Sequence, residues 1–127
     1  YPDAHEALRL IRHQPLALGV ISHRVSGYVA GVLAGAGVRE WFTGPVITPD
    51  VMGYCYKDEG YFQLAFAQAR AAPEACVVVD DKAACTAIAA ALGARTVLVD
   101  RAGRHAGQAG TIRLPDLRGL PDVCRSL

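Results

Sequence analysis

Apolar and polar positions follow two rhythms along this chain, and the rhythms alternate. Ala4, Leu8 and Ile11 recur at helical spacing and make one apolar face. Asp3 stands where an N-cap belongs, with Glu6 three residues on as the return partner of a capping box, and Pro15 ends the segment. Leu16 to Ile21 is a short, nearly continuous apolar run, the mark of a strand buried on both faces. A second helix then places Tyr28, Val29, Val32, Leu33 and Ala36 on one side and stops at Gly37. Trp41 and Phe42 fall in a connector that they anchor to the core, and Pro45 to Thr48 reads as the next strand. Phe62, Ala65, Phe66 and Ala69 stripe a third helix, which Pro73 closes off. Cys76 to Val79 is the most strand-like segment, running straight into Asp80 and Asp81. Ala84, Ile88, Ala91 and Leu92 stripe a fourth helix up to Gly93, Thr96 to Val99 is another buried strand, and Thr111 to Arg113 a last short one. The Gly- and Ala-rich stretch Ala102 to Gly110 predicts a mobile surface loop. Strands separated by helices imply an α/β fold, a Rossmann-like doubly wound parallel sheet covered on both faces, in a single domain over residues 1–127.

Composition narrows the function classes. Just over half of the residues, 52%, are hydrophobic and 20% are charged, which suits a folded domain and not a disordered one. The formal charge of +1 provides no basic excess for nucleic acid or an anionic membrane surface. No apolar run approaches the roughly 18 residues of a membrane helix. Cys55, Cys76, Cys85 and Cys124 form no C-x-x-C pair, so reduced, mostly buried thiols and a cytoplasmic setting are expected. The only methionine is Met52 and the chain begins at Tyr1. Removal of an initiator methionine normally needs a small second residue, so coding sequence upstream of Tyr1 is expected.

Open parallel sheets bind ligands at the carboxyl ends of their strands. Three such ends carry polar residues: Ser22-His23, Asp80-Asp81 and Asp100. Two adjacent carboxylates after a buried strand are costly unless a cation meets them, and a hard ion such as Mg²⁺ is the natural candidate. The alternative is that one of them caps the following helix, and Ser22 admits the same alternative. His23 would point into the site, in contact with an anion or in a packing or capping role. Arg101 and Arg104 are candidates to reach an anion, whereas His5, His13 and His105 read as surface residues.

Two of these segments resemble motifs of one family. Leu18-Gly-Val-Ile-Ser22-His23 resembles the second motif of haloacid-dehalogenase-superfamily hydrolases, and Cys76-Val-Val-Val-Asp80-Asp81, followed by Gly93, Arg95 and Thr96, resembles the fourth. Tyr1 to Leu8 is similar to the segment that re-enters the core after the family's cap, and Trp41 to Ile47 and Arg113 to Leu120 also fit, so the resemblance spans nearly the whole chain. It implies Mg²⁺-dependent hydrolysis of a small phosphorylated substrate. Ser22 and His23 would bind the phosphoryl group, Asp81 would ligate the metal with Asp80 beside it, and a lysine would neutralise the phosphoryl charge.

The chain departs from the family in three places. The motif with two aspartates on the opening strand is absent, for no D-x-D occurs anywhere. Tyr56 occupies the position of the third-motif lysine, with Lys57 one place late; either a one-residue bulge brings the Lys57 ammonium into the site or Lys57 is a solvated surface lysine, the second being favoured. Cys85 stands where a second acidic residue is common. In the family's strand order, 5-4-1-2-3, the absent first strand is central, between Leu16–Ile21 and Cys76–Val79. Either upstream residues of the same polypeptide fill that slot, or another chain does, or the flanking strands pair directly; the first is favoured because Tyr1 is an implausible start. Two functions follow: a phosphohydrolase domain whose nucleophile lies upstream, or a catalytically degenerate domain kept as a structural, dimerising or ligand-binding module.

Overall fold

A computed structural model describes residues 1–54 and 57–126. The helices are α1 (Pro2–Ile11), α2 (Ser26–Gly35), α3 (Pro49–Met52), α4 (Glu59–Ala69), α5 (Ala83–Ala91) and α6 (Leu120–Arg125). The strands are β1 (Val20–Ile21), β2 (Val46–Ile47), β3 (Val77–Asp80), β4 (Arg95–Val99) and β5 (Thr111–Leu114). All observed pairings are parallel. β3, β4 and β5 form one sheet in that order, with Val77 opposite Arg95 and Thr96 opposite Thr111, and β1 and β2 form another, with Val20 opposite Val46. Helices cover both faces of the larger sheet. Phe62 and Phe66 of α4 and Cys85 and Ala89 of α5 bury one side with Val78; Ile11 of α1 and Leu120 and Cys124 of α6 bury the other with Val97 and Val99. The α/β doubly wound class expected from the alternating rhythms is the fold observed.

β1 and β3 share no ladder. Ile21 nonetheless packs against the cluster that contains Val78, so the two strands are neighbours. Backbone directions show what lies between them. The amides of Val20 and Ser22 donate to Pro45 and Ile47, toward β2, so by alternation the peptide groups of Ile21 face the other way. The carbonyl of Cys76 accepts from Arg95, toward β4, so those of Val77 and Val79 face away from it. Val79, in a strand with a partner on one side only, is 38% exposed. Direct pairing of the flanking strands, one of the three ways of closing the sheet, is therefore not what this chain adopts.

Several expectations are corrected. The strand expected over Leu16–Ile21 is ordered as strand only at Val20–Ile21; Leu16 and Leu18 pack, half-buried, on the α1–α6 cluster. Helix α1 starts at Pro2, with Tyr1 at the cap position. Asp3 is no cap: its carboxylate accepts the Leu117 amide (3.0 Å) and pairs with Arg101 (2.6 Å), and Glu6 pairs with Arg9. These partners, the Arg101 hydrogen bond first, lower the Asp3 carboxyl to about 2. In α2 only Val29 is buried, while Tyr28 and Val32 are 57% and 52% exposed. α5 buries Cys85, Thr86 and Ala89, one step round from the stripe Ala84, Ile88, Ala91 and Leu92. The loop 102–110 is held at two points. Asp100 accepts the amides of Arg104 and His105 (3.0 and 2.9 Å), and the Thr86 hydroxyl meets Gln108 (3.0 Å).

Candidate active site

The carboxyl ends of β1 and β3 open into one pocket of about 350 Å³. Its lining includes Ser22, His23, Lys57, Asp80 and Asp81, so all five residues singled out from the sequence come together. Asp100 does not join them. Its buried carboxylate is spent on the loop amides and on Arg113 (2.7 Å), and the backbone bond from His105, above all, holds it below the ordinary carboxylate value. Arg101 is likewise committed, to Asp3 and to the Tyr1 ring 4.0 Å away.

Helix α4 positions Lys57. Asp58 caps it by accepting the Tyr61 amide (3.1 Å), and the Tyr61 hydroxyl donates to the Ser22 carbonyl (2.9 Å), tying the helix to the end of β1. Lys57 directly precedes the cap, and its ammonium forms an ion pair with the Asp80 carboxylate, each side chain being about nine-tenths buried. Lysine's long flexible stem thus carries the charge into the site from one position late. Tyr56, at the motif position itself, lies outside the described residues. The other oxygen of Asp80 accepts the Lys82 amide (2.9 Å) and turns the chain into α5.

Both kinds of role expected for Ser22 are open to it: its oxygen accepts the Arg24 amide (3.0 Å) in a local turn while it lines the pocket. The His23 imidazole, although exposed, is pushed below its ordinary value by loss of solvation at the pocket wall and then by the charges of Lys57 and Lys82, against a smaller pull from Asp80. Because the unfolded chain takes this proton first, His23 subtracts stability as the pH falls below about 6.5. An NMR titration is expected to give a His23 midpoint below that value and to move it upward when inorganic phosphate is added. A midpoint at or above 6.5 would mean that desolvation and the two ammonium groups together do not outweigh the pull of Asp80.

The donor set fits Mg²⁺ only in part. Asp81 offers an exposed carboxylate with no ion pair or hydrogen bond among the described residues. Asp80 is engaged with Lys57. Cys85 is buried and its thiol is held in the protonated form, burial first and then Asp80 raising it, so it supplies no ligand for a hard cation. Among the described residues no cluster of three or more metal-ligating side chains forms. Mg²⁺ is commonly held by one or two carboxylates with water and phosphate oxygens completing the shell, and Asp81 suits such a site.

Solved structures decide the fold. A haloacid-dehalogenase-type (HAD) phosphatase from Thermococcus onnurineus superposes with a TM-score of 0.82 at 22% identity, over 97% of this chain and 57% of that one. The fold is that of the HAD-like hydrolases. An L-2-haloacid dehalogenase from Xanthobacter autotrophicus agrees with a TM-score of 0.83 at 20% identity, over 100% of this chain and 61% of that one. The HAD-type protein YfnB from Bacillus subtilis, in a magnesium-bound structure, gives 0.85 at 15% identity, over 98% and 55%. The chain therefore spans a little over half the length of the proteins whose fold it shares. No protein-family model matches it, and no curated protein matches it. No helix among the described residues is long and apolar enough to cross a membrane.

Two pocket residues, Arg24 and Lys82, were not singled out from the sequence. Lys82 was legible in principle, because lysine is rare in this chain.

Proposed function

We propose that this HAD-like chain is the greater part of a Mg²⁺-dependent phosphohydrolase domain, and that a strand carrying the aspartate nucleophile, from a segment outside residues 1–127, fills the slot between β1 and β3. The observation that carries this reading is the Lys57–Asp80 pair beside Ser22. An ammonium held in a protein-walled cleft, next to a hydroxyl at a strand end, is a binding arrangement for a phosphoryl group. In it Ser22 holds a phosphoryl oxygen, Lys57 neutralises developing negative charge, and Asp80 fixes the ammonium in place. Asp81 would hold Mg²⁺, which when bound supplies further charge neutralisation. The open backbone groups of Ile21, Val77 and Val79 are what a parallel strand would pair with.

Halide displacement, the chemistry named for some of the structural neighbours, is less well supported. The free carboxylate of Asp81 repels an anionic substrate unless a divalent cation stands between them. The degenerate reading rests on Cys85, a neutral thiol in a place where a second acid is common.

The test is p-nitrophenyl phosphate hydrolysis with Mg²⁺. Residues 1–127 alone are expected to give no turnover, and the protein extended by its upstream coding sequence to give turnover that Asp81→Ala lowers on the order of 100-fold. Turnover by residues 1–127 alone would remove the external nucleophile. An inactive extended protein would favour the degenerate module.

A further inference from the structure

Of the thirteen basic residues in the chain, eleven are arginine and only two, Lys57 and Lys82, are lysine. Both lysines line the same pocket. Elsewhere the cations are arginines, and several form ion pairs with carboxylates, as Arg9 does with Glu6 and Arg113 with Asp100. Arginine's planar fork suits those pairs, whereas lysine is a compact charge on a mobile stem.

The two lysines differ in what surrounds them. Lys57 is held in place by its ion pair with Asp80. Lys82 is exposed at the pocket rim and makes no ion pair among the described residues. Arg24, on the β1 side, also lines the pocket without an ion pair among the described residues and lies 5.4 Å from the centre of the Tyr28 ring. With Asp81 assigned to the metal, the rim keeps two cations beyond those needed for one phosphoryl group. We infer that Lys82, with Arg24 from the segment after β1 lining the same pocket, binds a second anionic group of the substrate. The substrate class is then a small phosphate ester bearing another anion, a phosphorylated carboxylic acid being the simplest case. The pocket volume of about 350 Å³ is at the small end of the roughly 300–1,000 Å³ typical of ligand sites, which suits a compact molecule. This inference rests on the phosphoryl-site reading above.

The experiment compares two phosphonates of equal length, 3-phosphonopropionate and propylphosphonate, which differ by a terminal carboxylate. Both are titrated into the protein that includes the segment filling the slot between β1 and β3, in excess Mg²⁺, and followed by NMR. The carboxylate-bearing probe is expected to bind about tenfold more tightly, equivalent to about 1.4 kcal/mol. Lys82→Ala is expected to bring the ratio of the two affinities close to one, and Lys82→Arg to retain most of it. Lys82 is exposed, so neither substitution threatens folding. Equal affinities in the unsubstituted protein, or a ratio that survives Lys82→Ala, overturn the inference and leave the phosphoryl site standing. If neither phosphonate binds, the phosphoryl site itself is wrong and the inference falls with it.

Discussion

Phe62→Ala is expected to remove most of the chain's folding stability at 25 °C. Phe62 has no exposed surface and sits where α4 meets α5 and β3, in a cluster with Phe66, Val78, Cys85 and Ala89. Truncating a buried phenylalanine costs about 3–5 kcal/mol, the lost transfer energy plus the cavity left behind. Domains of ordinary stability have about 5–15 kcal/mol in total. A sheet with an unpaired slot belongs at the lower end of that range, so one such loss removes most of the margin. Urea unfolding followed by far-UV circular dichroism measures it. The control is Leu64→Ala on the same helix, where the side chain is 42% exposed and a change within about 0.5 kcal/mol is expected. Equal midpoints for the two variants would show that α4 does not pack as described.

Asp80→Ala is expected to be the next most damaging change, for an electrostatic reason. It strands the Lys57 ammonium in a site where both partners are about nine-tenths buried. Breaking a buried pair by removing one member costs about 3–5 kcal/mol. The open pocket lets lysine swing toward water, so about 3 kcal/mol is expected here, read from the same unfolding curves. The double variant Lys57→Met/Asp80→Leu removes both charges together and is expected to recover most of that loss. A double variant as unstable as the single one would mean that Asp80 acts through the Lys82 amide turn and not through the ion pair.

The sequence is most legible where burial is unambiguous. The run of three valines into Asp80 leaves little choice but a strand, and β3 and β4 fall within a residue of their expected limits. It is least legible where residues offer no contrast. α2 contains no charged side chain, so any face of it satisfies an apolar stripe, and the face buried is set by tertiary packing around Val29. The alanines of α5 blur its stripe in the same way, and the structure turns it by one position to bury Cys85. β1 shortens to Val20–Ile21 because an apolar run records burial, not pairing. Leu16 and Leu18 are taken up by α1 and α6 before the ladder begins. At the site, Ser22, Asp80 and Asp81 follow from the rule that strand ends carry ligands. The reach of Lys57 could not be read from spacing, because it depends on where the α4 cap sets the backbone.

The slot between β1 and β3 has a consequence for handling the protein. An unpaired strand edge is a template for any other strand, and proteins usually guard such edges with lysine, proline or a bulge. Neither Val20–Ile21 nor Val77–Val79 carries a lysine or a proline. Whatever segment occupies the slot therefore also acts as a guard against cross-pairing between molecules. Colloidal behaviour at high concentration, rather than thermal midpoint, is where its absence would be felt first.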